Sequence, residues 1–368
     1  MPEQRLPLTA GLDLGDRHIH LVIVGGIGGH EAITVRESDI VDTTPDAVRS
    51  AFTHRAPMRI VLEVGTPARW IARTLEALGH EVLVCNPRSL REIYTNPRKS
   101  DFVDAETLAR IGHTDPNRLV THRGYTARDS DALHLVRSRH LLVRNRARIA
   151  NRVRAMVKSV GARLPPAEGD RFHTLAPHIP AELHDATRPL MRTAAATNEA
   201  IFEYDRAIHS YLTAHYPDPA RRLLAIHGVG PITTLTFIAV IGDPHRFTSS
   251  RHVGSYLGFA PRRRQSGARD PQLGVTRAGD KLLRGLLVGA ALTHTTTSAP
   301  DGHLHAWARR RLDGADRLTR KRTLVAVARK LGVVMHRMLM TGEEFEPWPH
   351  RAAPSRPREG APPPRNAE

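Results

Sequence analysis

Residues 8–24 read LTAGLDLGDRHIHLVIV. Two apolar runs, Leu8 to Leu14 and Ile19 to Val24, flank Gly15-Asp16-Arg17, which has turn composition, so the stretch predicts a β-hairpin. Working outward, the glycine run 25–29 (GGIGG) marks a second turn and Glu31 to Arg36 reads as a third strand. Arg59 to Glu63 is a further strand, and a helix follows from about Pro67 to Leu78. Thr66 fits its cap, with proline at the first helical position. Gly79 stops that helix and Glu81 to Cys85 is again a strand.

Three consecutive strands followed by alternating helix and strand predict an α/β N-terminal domain of ribonuclease-H type. Four carboxylates are spaced along it. Asp13 ends the first strand inside Gly11-Leu-Asp-Leu-Gly15, Glu63 ends another, and Asp101 and Asp104 lie three apart on one predicted helix. Residues three apart share a helix face. Converging carboxylates repel unless a cation neutralises them, so the set suits two Mg²⁺ ions about 4 Å apart, activating an attacking oxygen and stabilising a leaving one. Each residue also has an ordinary reading. A Gly-x-Asp-x-Gly strand end can be a turn, Asp101 can be a helix N-cap, and Asp104 can be a first-turn carboxylate favoured by the helix dipole.

The net charge of +17 and a pI near 11.0 call for a polyanionic partner. Arginine supplies the excess, since only Lys99, Lys158, Lys281, Lys321 and Lys330 are lysines among 54 basic residues. Guanidinium forks match phosphates, although a GC-rich genome would also favour arginine. Cys85 is the single cysteine, which excludes an intramolecular disulfide and a thiolate zinc cluster. No signal-like segment opens the chain and no apolar run approaches the ~18 residues of a membrane span. The expectation is a cytoplasmic, nucleoid-associated protein with no membrane partner.

From about residue 129 the pattern becomes helical. Leu133, Val136, His140, Val143, Ala147, Ala150, Val153, Val157, Val160 and Leu164 recur at alternating three and four spacing up to Pro165-Pro166. Leu190, Ala194, Thr197, Ile201, Tyr204, Ile208 and Tyr211 form a second seam before Pro217. Together they predict an antiparallel helical pair or a coiled-coil dimer contact. No acid occurs between Ala132 and Ala167, whereas arginines such as Arg144, Arg148 and Arg152 do, so this face suits a phosphate backbone. The domains expected are 1–128 (α/β catalytic), 129–216 (helical coiled-coil connector), 217–346 (mainly helical) and a disordered Pro/Arg-rich tail, 347–368.

In the third segment, Gly228-Val-Gly-Pro231 before an apolar run reads as a helix-hairpin-helix whose Gly228 and Gly230 amides would meet a phosphate, or else as a plain inter-helix turn. Arg262, Arg263 and Arg264 then precede a lone hydroxyl, Ser266, and Arg277 and Arg284 follow it. A serine nucleophile needs a base or metal and cations for the developing charge. The cations are present; no neighbouring residue is an obvious base, and such a serine is also an ordinary loop residue.

The chain resembles the Piv/MooV-type insertion-sequence transposases, a class that includes bridge-RNA-guided recombinases. The resemblance rests on Gly11-Leu-Asp-Leu-Gly15, Val61-Leu-Glu-Val-Gly65, Asn86-Pro87 and Lys99-Ser-Asp-Phe-Val-Asp-Ala105. It continues through Gly228-Val-Gly-Pro231, Gly242-Asp-Pro-His-Arg-Phe247, Leu257-Gly-Phe-Ala-Pro261, Ser266-Gly267, Gly279 to Arg284 and Ala328-Arg-Lys-Leu331. It implies a RuvC-like domain holding Mg²⁺ through Asp13, Glu63, Asp101 and Asp104. It also implies a C-terminal transposase domain whose nucleophile falls on Ser266, assisted by the carboxylate–metal site of a neighbouring subunit. Donor and target double-stranded DNA, a structured guide (bridge) RNA and a homodimer or homotetramer follow as expected partners. Two positions depart from the family pattern: Asp16-Arg17 stands where a lysine is frequent, and Arg277 replaces another common lysine.

Other readings of the residues predict different behaviour. A Holliday-junction nuclease would hydrolyse DNA without a covalent intermediate. An actin-like kinase would need Thr or Ser after the first glycine turn, where Asp16 stands. A non-catalytic DNA binder would not notice the loss of Asp13 or Asp104.

Overall fold

The computed structural model describes residues 8–26, 33–63, 65–85, 100–116, 127–262 and 273–347. It divides into two compact units, Met1–Gly124 and Tyr125–Glu368.

The first unit is a five-stranded sheet with helices on both faces. Strands β1 (Leu8–Leu14), β2 (His18–Gly25) and β3 (Thr34–Asp42) form an antiparallel meander. β4 (Arg59–Glu63) pairs parallel to β1, and β5 (Glu81–Cys85) parallel to β4, giving the order β3-β2-β1-β4-β5. This is the ribonuclease-H-like arrangement, with the strand bearing Asp13 at its centre. One face buries Ala10, Leu12, Ile19, Leu21, Ile60 and Leu62 under α1 (Pro45–Phe52) and α2 (Ala68–Ala77). The alternate residues Val22, Val24, Val61, Leu83 and Cys85 face α3 (Asp101–Thr114), as the period of two in a strand requires.

Two glycines set how closely α3 lies on the sheet. A Cβ at Gly11 would collide with the Ala105 carbonyl and stand 2.6 Å from the Ala109 amide; one at Gly112 would run into Val61. Gly11 therefore admits the α3 backbone.

Several boundaries differ from the sequence expectation. The third strand runs Thr34–Asp42 instead of Glu31–Arg36, whose first two residues lie outside the described ones. It is an edge strand exposed along most of its length, so its polar sequence carries little alternation. The cap position of α2 is Pro67 instead of Thr66, with no side-chain cap bond. α1 is an additional helix, which Thr44 caps by accepting from the Ala47 amide at 3.3 Å and Pro45 opens.

The second unit is helical: α4 (Ala127–Ser159), α5 (His184–His215), α6 (Pro217–Leu224), α7 (Pro231–Ile241), α8 (Ser250–Tyr256), α9 (Lys281–His294), α10 (His303–Leu312) and α11 (Arg317–Thr341). α4 and α5 run antiparallel, since Ala132, Leu133 and Val136 share a core with Ile208 and Leu212, while Val153 and Val157 meet Met191. α4 ends at Ser159, short of the Leu164 that the seam predicts, and Gly161 follows in the left-handed region at φ 84°. Leu164 still packs against the distal cluster. α7 is buried from Thr233 to Ile241, with α9, α6, the start of α4 and the end of α5 packed against it, and α11 joins the same core. No helix among the described residues is long and apolar enough to cross a membrane.

Candidate active site

The β1–β2 register pairs Asp13 with His20. The β1–β4 register pairs Leu12 with Leu62, so the next step brings Asp13 level with Glu63 on the face that α3 covers. Ser100 caps α3, accepting from the Val103 amide at 3.3 Å; Asp101 and Asp104 therefore occupy the first helical turn, and Asp101 is not the cap. Their environments differ. Asp104 is 8% exposed, while the Asp101 side chain is 65% exposed and reaches His20, Nδ1 to Oδ2 3.6 Å. The His20 ring also stands edge-on to Phe102, 4.8 Å between centroids.

One ligand atom each from Asp13, His20 and Asp101 lies within 4.8 Å of the other two. The structure thus brings two of the four predicted carboxylates together and adds a histidine that sequence reasoning missed. Glu63 and Asp104 stand on the same face but outside this triplet. Asp16 is an exposed turn residue, also outside it. Two hard carboxylate oxygens and an imidazole nitrogen suit a divalent cation; His20 is a positive partner of Asp101 only when protonated. Cys85 is the register partner of Glu63 on β5. Burial, aided by the Glu63 charge, pushes its thiol up to about 12, so it stays protonated at neutral pH.

Ser266, Arg263 and Arg264 lie outside the described residues. The described chain on either side of residues 263–272 is tied together. Pro261 bridges Val275, the Arg262 amide donates to the Gly274 carbonyl (3.0 Å), and the Thr276 amide donates to the Ala260 carbonyl (2.8 Å). The Arg277 amide donates to Gly258 (3.0 Å), and Arg277 adopts φ 58°, the positive-φ non-glycine conformation among the described residues. Arg284 donates to the Gly279 carbonyl at 2.6 Å; burial lowers its pKa first, and the Arg277 charge lowers it too, against Asp280. Arg262 and Arg277 are exposed and Arg284 is partly buried, so cations flank residues 263–272 on both sides.

The predicted helix-hairpin-helix is a turn leading into α7. Gly230 is its N-cap with open space around it. Gly228, at φ 87°, is pressed on α9, where a Cβ would stand 2.6 Å from the Ala290 carbonyl. Its glycine identity thus serves helix packing at least as much as any ligand.

On α4 the basic residues sort into two sets. Arg139 pairs with Asp205, Arg137 with Asp280 (3.2 Å), Arg146 donates to Asn198 (2.8 Å), and Arg154 stacks over Phe172 (5.2 Å). Arg144, Arg148 and Arg152, four apart, form an exposed stripe.

A ribonuclease-H-like sheet with carboxylates converging at the end of its central strand belongs to the class of enzymes that process nucleic-acid phosphodiesters. Comparison with known proteins narrows this. Residues 220–305 match the model described as "Transposase IS116/IS110/IS902 family", and residues 10–161 match a model described as "Transposase". A putative transposase of Sinorhizobium fredii is 32% identical over 305 residues, covering 80% of this chain and 76% of that one. The transposase for insertion sequence element IS1328 of Yersinia enterocolitica is 30% identical over 242 residues, 64% and 70% of the two chains. A Thermus thermophilus RuvC structure aligns with 28% of this chain and 90% of that one, at 16% identity and a TM-score of 0.23. The strand order β3-β2-β1-β4-β5 defines the ribonuclease-H-like fold. The chain belongs to the IS116/IS110/IS902 transposase family and acts in DNA recombination.

Proposed function

We propose that this transposase moves its own element by cutting and rejoining DNA through a covalent intermediate on Ser266. In this reading the Ser266 Oγ attacks a DNA phosphorus, an Oγ–P bond forms, and the strand's P–O bond breaks to release a hydroxyl end that takes up a proton. Attack by another strand's hydroxyl then reverses the linkage and restores the serine. Arg262, Arg263, Arg264, Arg277 and Arg284 neutralise the phosphoryl charge.

Asp13 and Asp101, with His20 beside them and Glu63 and Asp104 on the same face, would hold the divalent ions, two Mg²⁺ in the fullest version. Bound there, the cation supplies Lewis-acid polarisation of a phosphate oxygen. The domains are taken as 1–128 (catalytic carboxylates), 129–216 (connector), 217–346 (serine domain) and the tail 347–368. The Arg144–Arg148–Arg152 stripe and Gly230 contribute backbone contacts. Donor and target duplexes are chosen through base pairing with a bridge RNA, on a homodimer or homotetramer.

The observation that carries the reading is the Asp13–His20–Asp101 convergence on a ribonuclease-H-like sheet in a chain of this family. The experiment is an SDS-resistant protein–DNA adduct assay with Mg²⁺, the element ends and the flanking RNA. An adduct in wild type that is lost in both Ser266→Ala and Asp104→Asn supports it. Cleavage that persists in Ser266→Ala without adduct replaces it with a metal-dependent junction nuclease.

A further inference from the structure

We propose that the corner between α10 and α11 is a separate docking site for duplex DNA. α10 ends in Arg309, Arg310 and Arg311, all exposed. A four-residue turn, Asp313 to Asp316, carries Gly314 in the left-handed region at φ 59°. α11 then opens with Arg317, Arg320, Lys321 and Arg322, again all exposed. Burial on α11 begins only at Thr323 and continues through Val327, Ala328, Leu331 and Met335. The first six residues, roughly 9 Å of helix at 1.5 Å per residue, therefore extend beyond the core. Leu318, 52% exposed, sits among these cations.

Seven cations here face only two nearby carboxylates among the described residues, Asp313 and Asp316, and Asp316 attracts Arg322. None of these arginines, nor Lys321, forms an ion pair there; Arg311 instead lies over the Trp307 ring at 5.3 Å. Of the two nearby acids, Asp316 is occupied in capping the helix, accepting from the Thr319 amide at 2.7 Å. Like charges at this density repel one another, and a polyanion removes that cost.

The shape favours a duplex over a single strand. Single-strand binders stack bases on exposed aromatic rings, and the aromatic residue of 303–322 is Trp307, half-buried with a guanidinium over its ring. An α-helix fits the B-DNA major groove, about 12 Å wide, whereas the A-form RNA major groove is too narrow for it. Two helices joined by a short glycine-containing turn, with the start of the second presented to solvent, also match how helix-turn-helix proteins meet DNA. This inference rests on the chain being a DNA transposase and not on the serine chemistry.

The test is equilibrium binding in EDTA, where no strand is cut. Fluorescence anisotropy of the full chain is followed with a labelled DNA duplex, one of its strands alone, and an RNA hairpin, across a salt series. Arg317→Gln/Arg320→Gln/Lys321→Gln is compared with Arg188→Gln/Arg192→Gln/Arg206→Gln, which removes equal charge from exposed positions of α5. The corner variant is expected to lose at least tenfold in duplex affinity. Its slope of log K against log salt should flatten by about 2 to 3, at ~0.9 per lost phosphate contact. The control should change less than threefold, and RNA binding should hold within threefold. Equal losses in both variants would reduce the corner to net charge; a loss confined to RNA would reassign the site; no loss would dismiss it. The single Arg320→Glu variant gives the same ordering should the triple variant fail to fold. A negative result leaves the adduct assay, and the reading it tests, untouched.

Discussion

Asp13 and His20 are register partners across the β1–β2 hairpin, and Asp101 completes their triplet from the first turn of α3. The hairpin fixes two of these side chains and the glycine-mediated approach of α3 delivers the third. If the triplet holds a divalent ion, binding should show it without any DNA present. Asp13→Asn and Asp101→Asn are each expected to weaken Mn²⁺ binding at least tenfold, measured by the free-ion EPR signal. His20→Gln should weaken it by a smaller factor, about three to ten, and should matter less for Mg²⁺, which prefers oxygen donors. An unchanged Mn²⁺ isotherm in His20→Gln would leave His20 as an ion-pair partner of Asp101 alone.

The close seat of α3 gives a second expectation. Gly11 has the Ala105 carbonyl and the Ala109 amide where a side chain would be, and both are backbone atoms that cannot swing away. Gly11→Val should therefore push α3 off the sheet, with a cost of about 1–3 kcal/mol or more from overpacking. Because Asp101 and Asp104 ride on that helix, metal affinity should fall together with the melting temperature. Gly79→Ala, at φ +87° with open space around it, tests the alternative that any glycine loss acts alike. It should cost stability through backbone strain while leaving metal affinity unchanged.

What the sequence made legible tracks how each signal is carried. β1 and β4 read correctly because central strands are apolar and bounded by turn residues, and β5, although at the sheet edge, because its run EVLVC is apolar and follows the Gly79 stop. β3 read several residues early because an edge strand, TVRESDIVD, is wet on nearly every residue. Asp13 and Asp101 stand out as acids at element ends. His20 looks like any alternating strand residue until the two-residue turn Asp16-Arg17, closed by the Gly15 amide on the His18 carbonyl (3.0 Å), is used to count pairs, which sets 13 opposite 20. The α4 arginines could not be sorted by sequence, since the Asp205 that pairs with Arg139 is 66 residues away and belongs to a different helix.

Arg277 offers a prediction in which stability and function move in opposite directions. Its φ of 58° is a left-handed conformation that costs a non-glycine residue about 1–2 kcal/mol. Arg277→Gly should remove that strain and raise the melting temperature of the second unit, or at least not lower it. If the arginine neutralises a phosphate, the same variant should lose DNA affinity and adduct yield. Arg277→Lys should keep the charge, and with it most of the affinity, without the thermal gain. A glycine variant that is more stable and binds DNA as before would make the strain incidental.

Cys85 gives a pH prediction whose sign can be worked out. Burial holds its folded thiol at about 12, while an unfolded thiol titrates near ~8.5. Below the unfolded value both states carry the proton, and the native environment gains its full contribution. As pH rises from about 8.5 toward 12, the unfolded state alone releases the proton, so the first unit should lose stability progressively across that window. Thermal unfolding from pH 7 to 11 should show this decline in wild type. Cys85→Ala should start lower, from the small cavity it leaves, and decline less steeply. At pH 8 a thiol reagent should label native Cys85 only at the rate of local opening, and rapidly once the chain is denatured. Parallel pH profiles for wild type and Cys85→Ala would show that the alkaline loss arises at other groups.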